Sequence, residues 1–324
     1  MVSHETETDP SAHKDTPVIM SPIGVHAWYH QDAEIGTATA CANLGVPFTL
    51  STAASTSIEK LFSALPDADA APRWFQLYWP LDEEMTASIL SRAKTAGFRV
   101  LVVTLDTWTL GWRPQDLDAA AVPFIVGEGD DVGFTDPVFR RKFADMSDGG
   151  SPEDSTVQAA MYWCSEIYPG VSRTWDDLSI LRRHWDGPIV LKGILSAEDA
   201  RLAQRHGMDG IIVSNHGGRQ LDGAVGTLDV LPDIVDAVGQ SMTVMLDSGI
   251  RTGADMLKAL ALGARAVFVG RPVVYGLGID GRAGAEAVLA GLLADLDLTM
   301  GFSGAAKVAD LTPSLLKKVD GPRL

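Results

Sequence analysis

The stretch SNHGGRQLDG, residues 214–223, brings an imidazole, a guanidinium and a carboxylate into one short glycine-rich segment. It follows the apolar run Gly210–Val213, which is typical of a buried parallel strand. The imidazole of His216 has a reference pKa of about 6.5 and can act as a general base near neutral pH. Arg219 can bind a carboxylate through two parallel hydrogen bonds. The segment therefore indicates proton abstraction from a substrate that carries a carboxylate.

Polar side chains also end five successive apolar runs of the chain. One lysine or aspartate at a strand end is more often part of a salt bridge or a cap than a catalyst. Five such ends in succession are hard to explain as surface decoration, so we expect them to line one cavity. They are Gln76, Tyr78, Thr104, Asp106, Lys192, Ser214, His216 and Asp247, with Arg271 after the last run.

Eight short apolar runs alternate with alanine-rich stretches of helical spacing, such as Glu83–Ala96, Ala197–His206 and Ala254–Leu262. This alternation predicts an α/β protein in which eight parallel strands close into a (β/α)₈ TIM barrel. A doubly wound open sheet is the alternative, and it is disfavoured because no G-x-G-x-x-G follows an early run. The runs are Pro17–Met20, Pro47–Leu50, Trp74–Tyr78, Val100–Asp106, Pro188–Lys192, Gly210–Ser214, Thr243–Asp247 and Ala266–Gly270.

One connection, residues 107–175 between the fourth and fifth runs, is far longer than an ordinary loop of such a barrel. Its aromatic and acidic content predicts a lid over the barrel mouth, and a structural subdomain or an oligomer contact is the alternative. The segment GEGDDVG, residues 127–133, imitates a nucleotide-binding motif but carries three carboxylates. We therefore interpret it as a loop.

Two glycine-containing segments after the last two runs indicate an anion site. They are Asp247–Arg251 and Gly270–Pro272, and they combine backbone N–H groups with guanidinium groups. Phosphate often binds between these two loops in barrels of this kind. The alternative is a pair of turn glycines beside solvated arginines. We favour a phosphate-bearing cofactor.

The composition limits the other function classes. The chain has 324 residues and a formal charge of −16, which opposes binding to nucleic acid and to anionic lipid. No apolar run is long enough to span a bilayer, and the polar start is unlike a secretory signal. Two cysteines, Cys41 and Cys164, suggest neither a disulfide framework nor a metal site. We therefore expect a cytoplasmic protein without a metal.

The remaining histidines lack the setting of His216. We expect His26, His30, His184 and His206 to be surface or structural residues, as we do His4 and His13 near the start.

Several segments together resemble the FMN-dependent α-hydroxy acid oxidase family, from about Pro17 to the end of the chain. They are SNHGGRQLDG, LDSGIRTGADMLKALALGA, VGRP, IVLKGI and FQLY. The stretches LDTWTLGWRPQDL and TDPVFRRKF are similar to those of the lactate 2-monooxygenase branch.

The resemblance implies a role for each motif position. His216 is the implied base, Asp106 its carboxylate partner, and Arg219 and Arg113 the implied ligands of the substrate carboxylate. Tyr78 is implied to bond the oxygen that becomes the keto group. The implied FMN contacts are Pro22, Ile23, Gly24, Ser51, Gln76, Thr104, Lys192, Ser214, Asp247, Gly249, Arg251, Gly270 and Arg271.

The chain departs from the family at its start. Members carry a helical region before the first barrel strand, which closes the barrel base and supplies a tyrosine to the substrate carboxylate. Here the first strand begins near Pro17, and Tyr29 follows that strand and is not the equivalent. We expect a polar, disordered lead-in over residues 1–16 and one FMN-binding domain over 17–324, with a shortened N-terminus.

The favoured hypothesis is oxidation of a small L-2-hydroxy acid, L-lactate first, to acetate, carbon dioxide and water, with molecular oxygen as co-substrate. One alternative is an oxidase that releases the keto acid and hydrogen peroxide. Another is an aldolase that uses Lys192 as a Schiff-base nucleophile, with the apolar flank Pro188–Leu191 lowering its pKa. A third is a catalytically impaired flavin-binding protein. The resemblance also implies a homo-oligomer of four or more subunits.

Overall fold

The computed structural model describes residues 16–65 and 72–318. Within them, eight parallel strands close into a barrel in chain order, from β1 to β8 and back to β1. The predicted (β/α)₈ barrel is confirmed. The strands are β1 Val18–Met20, β2 Phe48–Ser51, β3 Arg73–Leu77, β4 Val100–Thr104, β5 Ile189–Ile194, β6 Gly210–Val213, β7 Thr243–Leu246 and β8 Val267–Val269.

Each predicted run overlaps one observed strand, and the differences lie at the ends. Asp106, for example, is two residues beyond the end of β4, and Tyr78 is one residue beyond β3. These two polar residues lie in the loops that follow the strands, whereas Gln76, Thr104 and Lys192 lie within strands. Five of the predicted runs are one or two residues too long at their carboxyl ends, whereas β2 and β5 continue one and two residues beyond the predicted ends, to Ser51 and Ile194.

Twelve α-helices occur in the described part of the chain. The three helices named from the sequence are confirmed to within one residue at each end, as α3, α9 and α11. The helices are α1 Ala33–Asn43, α2 Ile58–Ala64, α3 Glu83–Thr95, α4 Pro114–Asp118, α5 Asp131–Phe134, α6 Pro137–Met146, α7 Thr156–Ile167, α8 Leu178–His184, α9 Ala197–Arg205, α10 Thr227–Val238, α11 Gly253–Ala261 and α12 Arg271–Phe302.

The barrel has two apolar layers. Alternate strand residues point outward and pack under the helices, whereas a separate buried cluster fills the inside. In that interior cluster the rings of Trp74 and Phe268 meet edge to face at 5.7 Å between centroids. The interior residues are Ile19, Trp74, Val100, Val102, Val190, Ile212, Met245, Ala266 and Phe268.

Between β4 and β5 the chain forms α4 to α7 before α8 returns to the barrel wall. This insertion has its own apolar centre, in which Phe139, Phe143 and Trp163 are fully buried. The ring of Phe139 lies 5.6 Å from that of Trp163, edge to face. Side chains of this size explain why the insertion is ordered rather than an extended loop.

The interpretation of residues 127–133 as a loop is correct only for the first part. Asp131–Phe134 form the short helix α5, and Gly133 packs against the indole of Trp163, where a Cβ atom would lie 2.4 Å from the ring. Asp130 is fully buried rather than solvated. Tertiary packing has therefore overridden the polar, glycine-rich pattern.

Other expectations fall partly outside the described residues. The predicted lead-in over residues 1–16, except Thr16, and the histidines His4 and His13 lie outside them. Cys41 and Cys164 are both free thiols. No helix within residues 16–65 and 72–318 is both long and apolar enough to cross a lipid bilayer.

Candidate active site

The alternation of the strands carries the barrel interior directly into a polar layer at the carboxyl ends. Each polar residue lies two positions after an inward-facing residue of its own strand, as Lys192 follows Val190 and Gln76 follows Trp74. All six are buried. They are Ser51, Gln76, Thr104, Lys192, Ser214 and Asp247.

His216 and Asp106 form the centre of the site. The Nδ1–H group of His216 donates to Oδ1 of Asp106 at 2.8 Å, although 110 residues separate them in the chain. The Thr107 hydroxyl donates to the same Oδ1 at 2.8 Å. With Nδ1 committed to the carboxylate, Nε2 is the nitrogen that can accept a proton from a substrate.

Charges around this pair set its protonation. Burial alone would raise the pKa of Asp106, but Lys192 and the His216 hydrogen bond outweigh burial and lower it to about 2. Burial and the positive charge of Lys192 lower the pKa of His216, although Asp106 opposes them. At neutral pH the pair therefore consists of a carboxylate and a neutral imidazole.

Lys192 is a buried cation held between two carboxylates. Its Nζ lies 3.6 Å from Oδ2 of Asp106 and 3.7 Å from Oδ2 of Asp247. Burial favours the neutral amine, but Asp247 and Asp106 together raise the pKa of Lys192. The expectation that the apolar flank lowers this pKa is wrong, because the two carboxylates outweigh that flank. A Schiff-base nucleophile must be neutral, so Lys192 is unsuited to that role.

Arg113 and Arg219 meet on a carboxylate of the chain itself. Nη2 of Arg219 donates to Oδ2 of Asp116 at 3.0 Å, and Nη1 of Arg113 lies 3.8 Å from the same oxygen. Burial and the charge of Arg219 lower the pKa of Arg113. The two guanidinium groups predicted to bind a substrate carboxylate therefore lie together and already hold an anionic group.

Tyr78 lies beside this cluster. Burial raises the pKa of its phenol, while Lys192 and Arg113 are near enough to oppose that rise. Its ring packs at 5.0 Å from the ring of Tyr168, which follows α7 in the insertion. The insertion therefore contributes to the surroundings of the site.

The glycine pair after His216 allows a sharp turn. His216, Gly217 and Gly218 have φ values of 57°, 65° and 74°, the left-handed region that favours glycine. A Cβ atom on Gly217 would lie 2.7 Å from Nη2 of Arg271. The Ser248 hydroxyl accepts the N–H of Gly217 at 2.9 Å and donates to Asp247. The turn thus points the imidazole into the site and joins it to the loops after β7 and β8.

The predicted anion segments also come together at this turn. The Arg271 guanidinium donates to the carbonyl oxygen of Gly217 at 2.7 Å. Helix α12 begins at Arg271 without a side-chain cap, whereas Thr252 and Asp255 cap α11 with a capping box. Uncapped N–H groups beside a guanidinium can hold a phosphate. Arg251 is exposed, and the described residues provide no partner for its guanidinium.

The loops after β1 and β2 close the other side of the site. A Cβ atom on Gly24 would lie 2.5 Å from the carbonyl oxygen of Ala53, and one on Gly270 would lie 3.2 Å from Cδ1 of Ile23. Pro22 directly precedes Ile23 and Gly24 in the loop after β1. Ser51 donates to Oε1 of Gln76 at 2.9 Å, and Nε2 of Gln76 is buried without a hydrogen-bond partner among the described residues. This donor is available to an acceptor of a bound cofactor.

The other described histidines have local partners. His26 is buried beside the hydroxyl of Thr37, and His206 stacks on Trp175. His30 and His184 lie beside Asp32 and Glu83 respectively.

Several residues near the site were missed from the sequence. Thr107 and Ser248 bond the predicted residues directly, Gln220 bonds the loop after β4, and Asp116 occupies the two arginines. Thr107, Ser248 and Gln220 each follow a predicted site residue immediately, which is the signal that could have identified them. Asp116 had no such signal, because its position depends on the fold of α4.

Comparison with known proteins identifies the family. The sequence profile of the FMN-dependent dehydrogenase family matches residues 11–318. The chain is 56% identical over 307 residues to an FMN-dependent alpha-hydroxy acid dehydrogenase of Penicillium citrinum, covering 95% of this chain and 75% of that protein. It is 40% identical over 306 residues to an L-lactate oxidase of Lysinibacillus sphaericus, covering 94% and 76%.

A solved structure agrees with these relatives. Mandelate oxidase with (S)-2-phenylpropionate superposes with a TM-score of 0.75 at 34% identity, over 91% of this chain and 76% of that one. The closed barrel, the buried polar layer at its carboxyl ends and these matches lead to one conclusion. The chain belongs to the FMN-dependent α-hydroxy acid oxidase and dehydrogenase family and is an oxidoreductase that uses FMN.

Proposed function

We propose that the protein oxidises a small L-2-hydroxy acid, L-lactate first, by the monooxygenase route to acetate, carbon dioxide and water. The observation that carries the oxidation chemistry is the triad of neutral imidazole, ionised carboxylate and buried ammonium formed by His216, Asp106 and Lys192. It places a base and a fixed positive charge in one cavity.

Bound FMN supplies the two-electron acceptor for the α-hydrogen of the substrate. Nε2 of His216 takes the hydroxyl proton, and Asp106 stabilises the imidazolium that forms. Acid–base assistance of this kind is typically worth about 10²–10⁴ in rate. The ammonium group of Lys192 would offset negative charge on the bound cofactor, and its burial would make this interaction stronger than it is in water.

Arg113 and Arg219 bind the substrate carboxylate, and the phenol of Tyr78 bonds the oxygen that becomes the keto group. The placement of Asp116 supports this assignment, because its carboxylate already lies between the two guanidinium groups. A substrate carboxylate satisfies the same donors in the same way.

The cofactor-binding roles follow from the two sides of the cavity. Arg271, Arg251 and Gly249, with the open start of α12, would hold the phosphate, and Asp247 would hold the ribityl chain. Lys192, Gln76 and Thr104 would contact the edge of the flavin ring. The unpartnered Nε2 of Gln76 supports this, because a buried donor without an acceptor is otherwise costly. The remaining contacts are Pro22, Ile23, Gly24, Ser51, Ser214 and Gly270.

The monooxygenase outcome requires the keto product to stay bound while oxygen reacts. The insertion supports retention, because Tyr168 packs on Tyr78 and the 109–113 loop bonds to residues 219–220. An oxidase is the second candidate, and it is favoured by a related protein from Lysinibacillus sphaericus that is named L-lactate oxidase.

Product analysis separates the two outcomes. The purified holoenzyme is incubated with L-lactate in air, and acetate, pyruvate and hydrogen peroxide are measured. Catalase is added because free peroxide would otherwise convert released pyruvate into acetate without the enzyme, and under this condition the proposal predicts acetate in amounts equal to the L-lactate consumed. Pyruvate in place of acetate, with hydrogen peroxide formed in an equal amount before catalase removes it, contradicts the monooxygenase route and supports the oxidase.

A further inference from the structure

We propose that Gln220 is a positioning residue that fixes the two halves of the active site against each other. This inference rests on the proposed roles of His216, Asp106, Arg113 and Arg219. Gln220 would hold those four groups at fixed positions relative to one another.

The carboxamide of Gln220 uses its complete hydrogen-bonding capacity on one short segment. Its Nε2 group donates to the carbonyl oxygens of Asp106 at 3.0 Å and Thr109 at 2.9 Å. Its Oε1 accepts from the backbone N–H of Gly111 and from Nη2 of Arg113, both at 3.0 Å. An amide has two donor hydrogens and two acceptor lone pairs, so all four are satisfied.

The two segments that Gln220 joins each carry half of the proposed chemistry. The 106–113 loop provides the carboxylate of Asp106 and the guanidinium of Arg113. The turn that ends at Gln220 provides the imidazole of His216 and the guanidinium of Arg219. The two segments follow different strands, β4 and β6, so their relative position depends on the contacts between the two loops as well as on the barrel.

Close backbone contact reinforces the same junction. A Cβ atom on Gly111 would lie 2.7 Å from the carbonyl oxygen of Arg219 and 3.0 Å from Cα of Gln220. Nε of Arg113 also donates to the Arg219 carbonyl oxygen at 3.1 Å. Only a glycine lets the loop approach so closely, and the approach is what brings four groups within reach of one amide.

The shape of the junction explains why glutamine suits it. Methionine has a similar length but neither donates nor accepts strongly, so Gln220→Met removes the four bonds with little change in volume. Gly111→Ala pushes the same two segments apart from the other side. A misplacement of about 1 Å in such a site can cost about 100-fold in rate.

The experiment uses the holoenzyme and two readouts. Oxalate, a dicarboxylate without an α-hydrogen, is titrated against the FMN absorbance to measure its Kd, and L-lactate is used to measure anaerobic flavin reduction. We expect Gln220→Met and Gly111→Ala each to weaken oxalate binding and to slow reduction by about 10- to 100-fold. The double variant should be little worse than either single one, because both break the same junction.

Gln204→Met is the matched control, since Gln204 is exposed on α9 and the described residues give its Nε2 one acceptor, the hydroxyl of Ser241. It should leave both readouts unchanged. Wild-type oxalate affinity and reduction rate in the Gln220→Met protein would overturn the inference, as would losses confined to Tm or FMN content. If no 2-hydroxy acid reduces the wild type, the proposed function fails, whereas the oxalate titration still decides whether Gln220 positions the arginines.

Discussion

At the scale of single residues, the state of His216 depends on three neighbours with opposing effects. Burial and Lys192 lower its pKa, while Asp106 raises it through a direct hydrogen bond. The net direction is downward, so the imidazole is neutral at pH 7 and remains ready to accept a proton. In the proposed mechanism, Asp106 therefore acts mainly after the proton has moved to His216, when it faces an imidazolium.

Replacing Asp106 tests this division of roles. We expect Asp106→Asn to slow anaerobic flavin reduction by about 10²–10⁴-fold, because the imidazolium loses its ionised partner. The variant also removes a charge that raises the pKa of His216, so the acid limb of the reduction rate should move to lower pH. Stopped-flow reduction between pH 5 and 8 measures both. If neither the reduction rate nor its fall at acidic pH changes, the carboxylate has no part in proton transfer.

A second prediction concerns Asp116, whose replacement should improve substrate binding. It occupies the two arginines that we assign to the substrate carboxylate, so it should compete with the substrate. We expect Asp116→Asn to lower KM for L-lactate about two- to fivefold at similar kcat, since an exposed ion pair is worth about 0.5–1 kcal/mol.

The matched control for this prediction is Asp118→Asn, an exposed residue of the same helix for which the described structure gives no ion pair. It changes the net charge equally and should leave KM unchanged. A rise in KM in Asp116→Asn alone would show that Asp116 orients Arg219 instead of competing for it.

Most of these residues could be predicted, because the strand period fixes their direction. Lys192 and Asp247 lie in phase with the interior residues Val190 and Met245, so any barrel in this register turns them inward. The partners Thr107, Gln220 and Asp116 could not be predicted in the same way. Their contacts join separate loops, whose approach depends on tertiary packing.

At the scale of elements, the insertion contains a buried carboxyl group that is uncompensated within the described structure. Asp130 is fully buried, and neither of its oxygens has a hydrogen-bond partner among the described residues. Burial, with the nearby Asp131 and Glu128, raises its pKa to about 8. The folded protein therefore holds a proton on Asp130 at neutral pH, which the unfolded chain loses near pH 4.

This difference predicts how stability varies with pH. Between about pH 4 and pH 8 Asp130 holds a proton in the folded state and not in the unfolded state, so its contribution makes the free energy of unfolding fall as pH rises. Asp130→Asn should remove a large part of this fall, on the order of a few kcal/mol between pH 5 and pH 9. A residual fall is expected from Asp131, whose pKa is raised to about 6.

Urea unfolding of the holoenzyme at constant excess FMN, at pH 5, 7 and 9, measures this effect. Asp145→Asn, an exposed position of α6, is the control and should follow the wild type. If Asp130→Asn loses stability with pH as steeply as the wild type, Asp130 is ionised in the folded protein and the account of the insertion is wrong.

The elements differ in how well their sequence predicts them. The eight strands were recognisable because each is a short apolar run followed by polar residues. Residues 127–133 were misread in part, because α5 exists through the packing of Gly133 on Trp163 and not through local propensity. Whether the insertion is a lid stays a prediction.

At the scale of the whole molecule, the fold divides two tasks between its layers. The interior cluster and the packed helices make the barrel wall, and the carboxyl ends of the strands with their loops carry the groups that we propose to react. Residues separated by more than 100 positions, such as Asp106 and His216, meet only because β4 and β6 end at the same rim. The family could be recognised from the motifs, but the reaction outcome depends on product release and could not.

The central claim is that His216 removes the proton that allows FMN to be reduced by a 2-hydroxy acid. Anaerobic mixing of the holoenzyme with L-lactate, recorded at the flavin absorbance, tests it most directly. The account predicts rapid bleaching of the wild type and a loss of at least about 100-fold in His216→Gln, with FMN still bound. Reduction of His216→Gln at the wild-type rate would contradict the account.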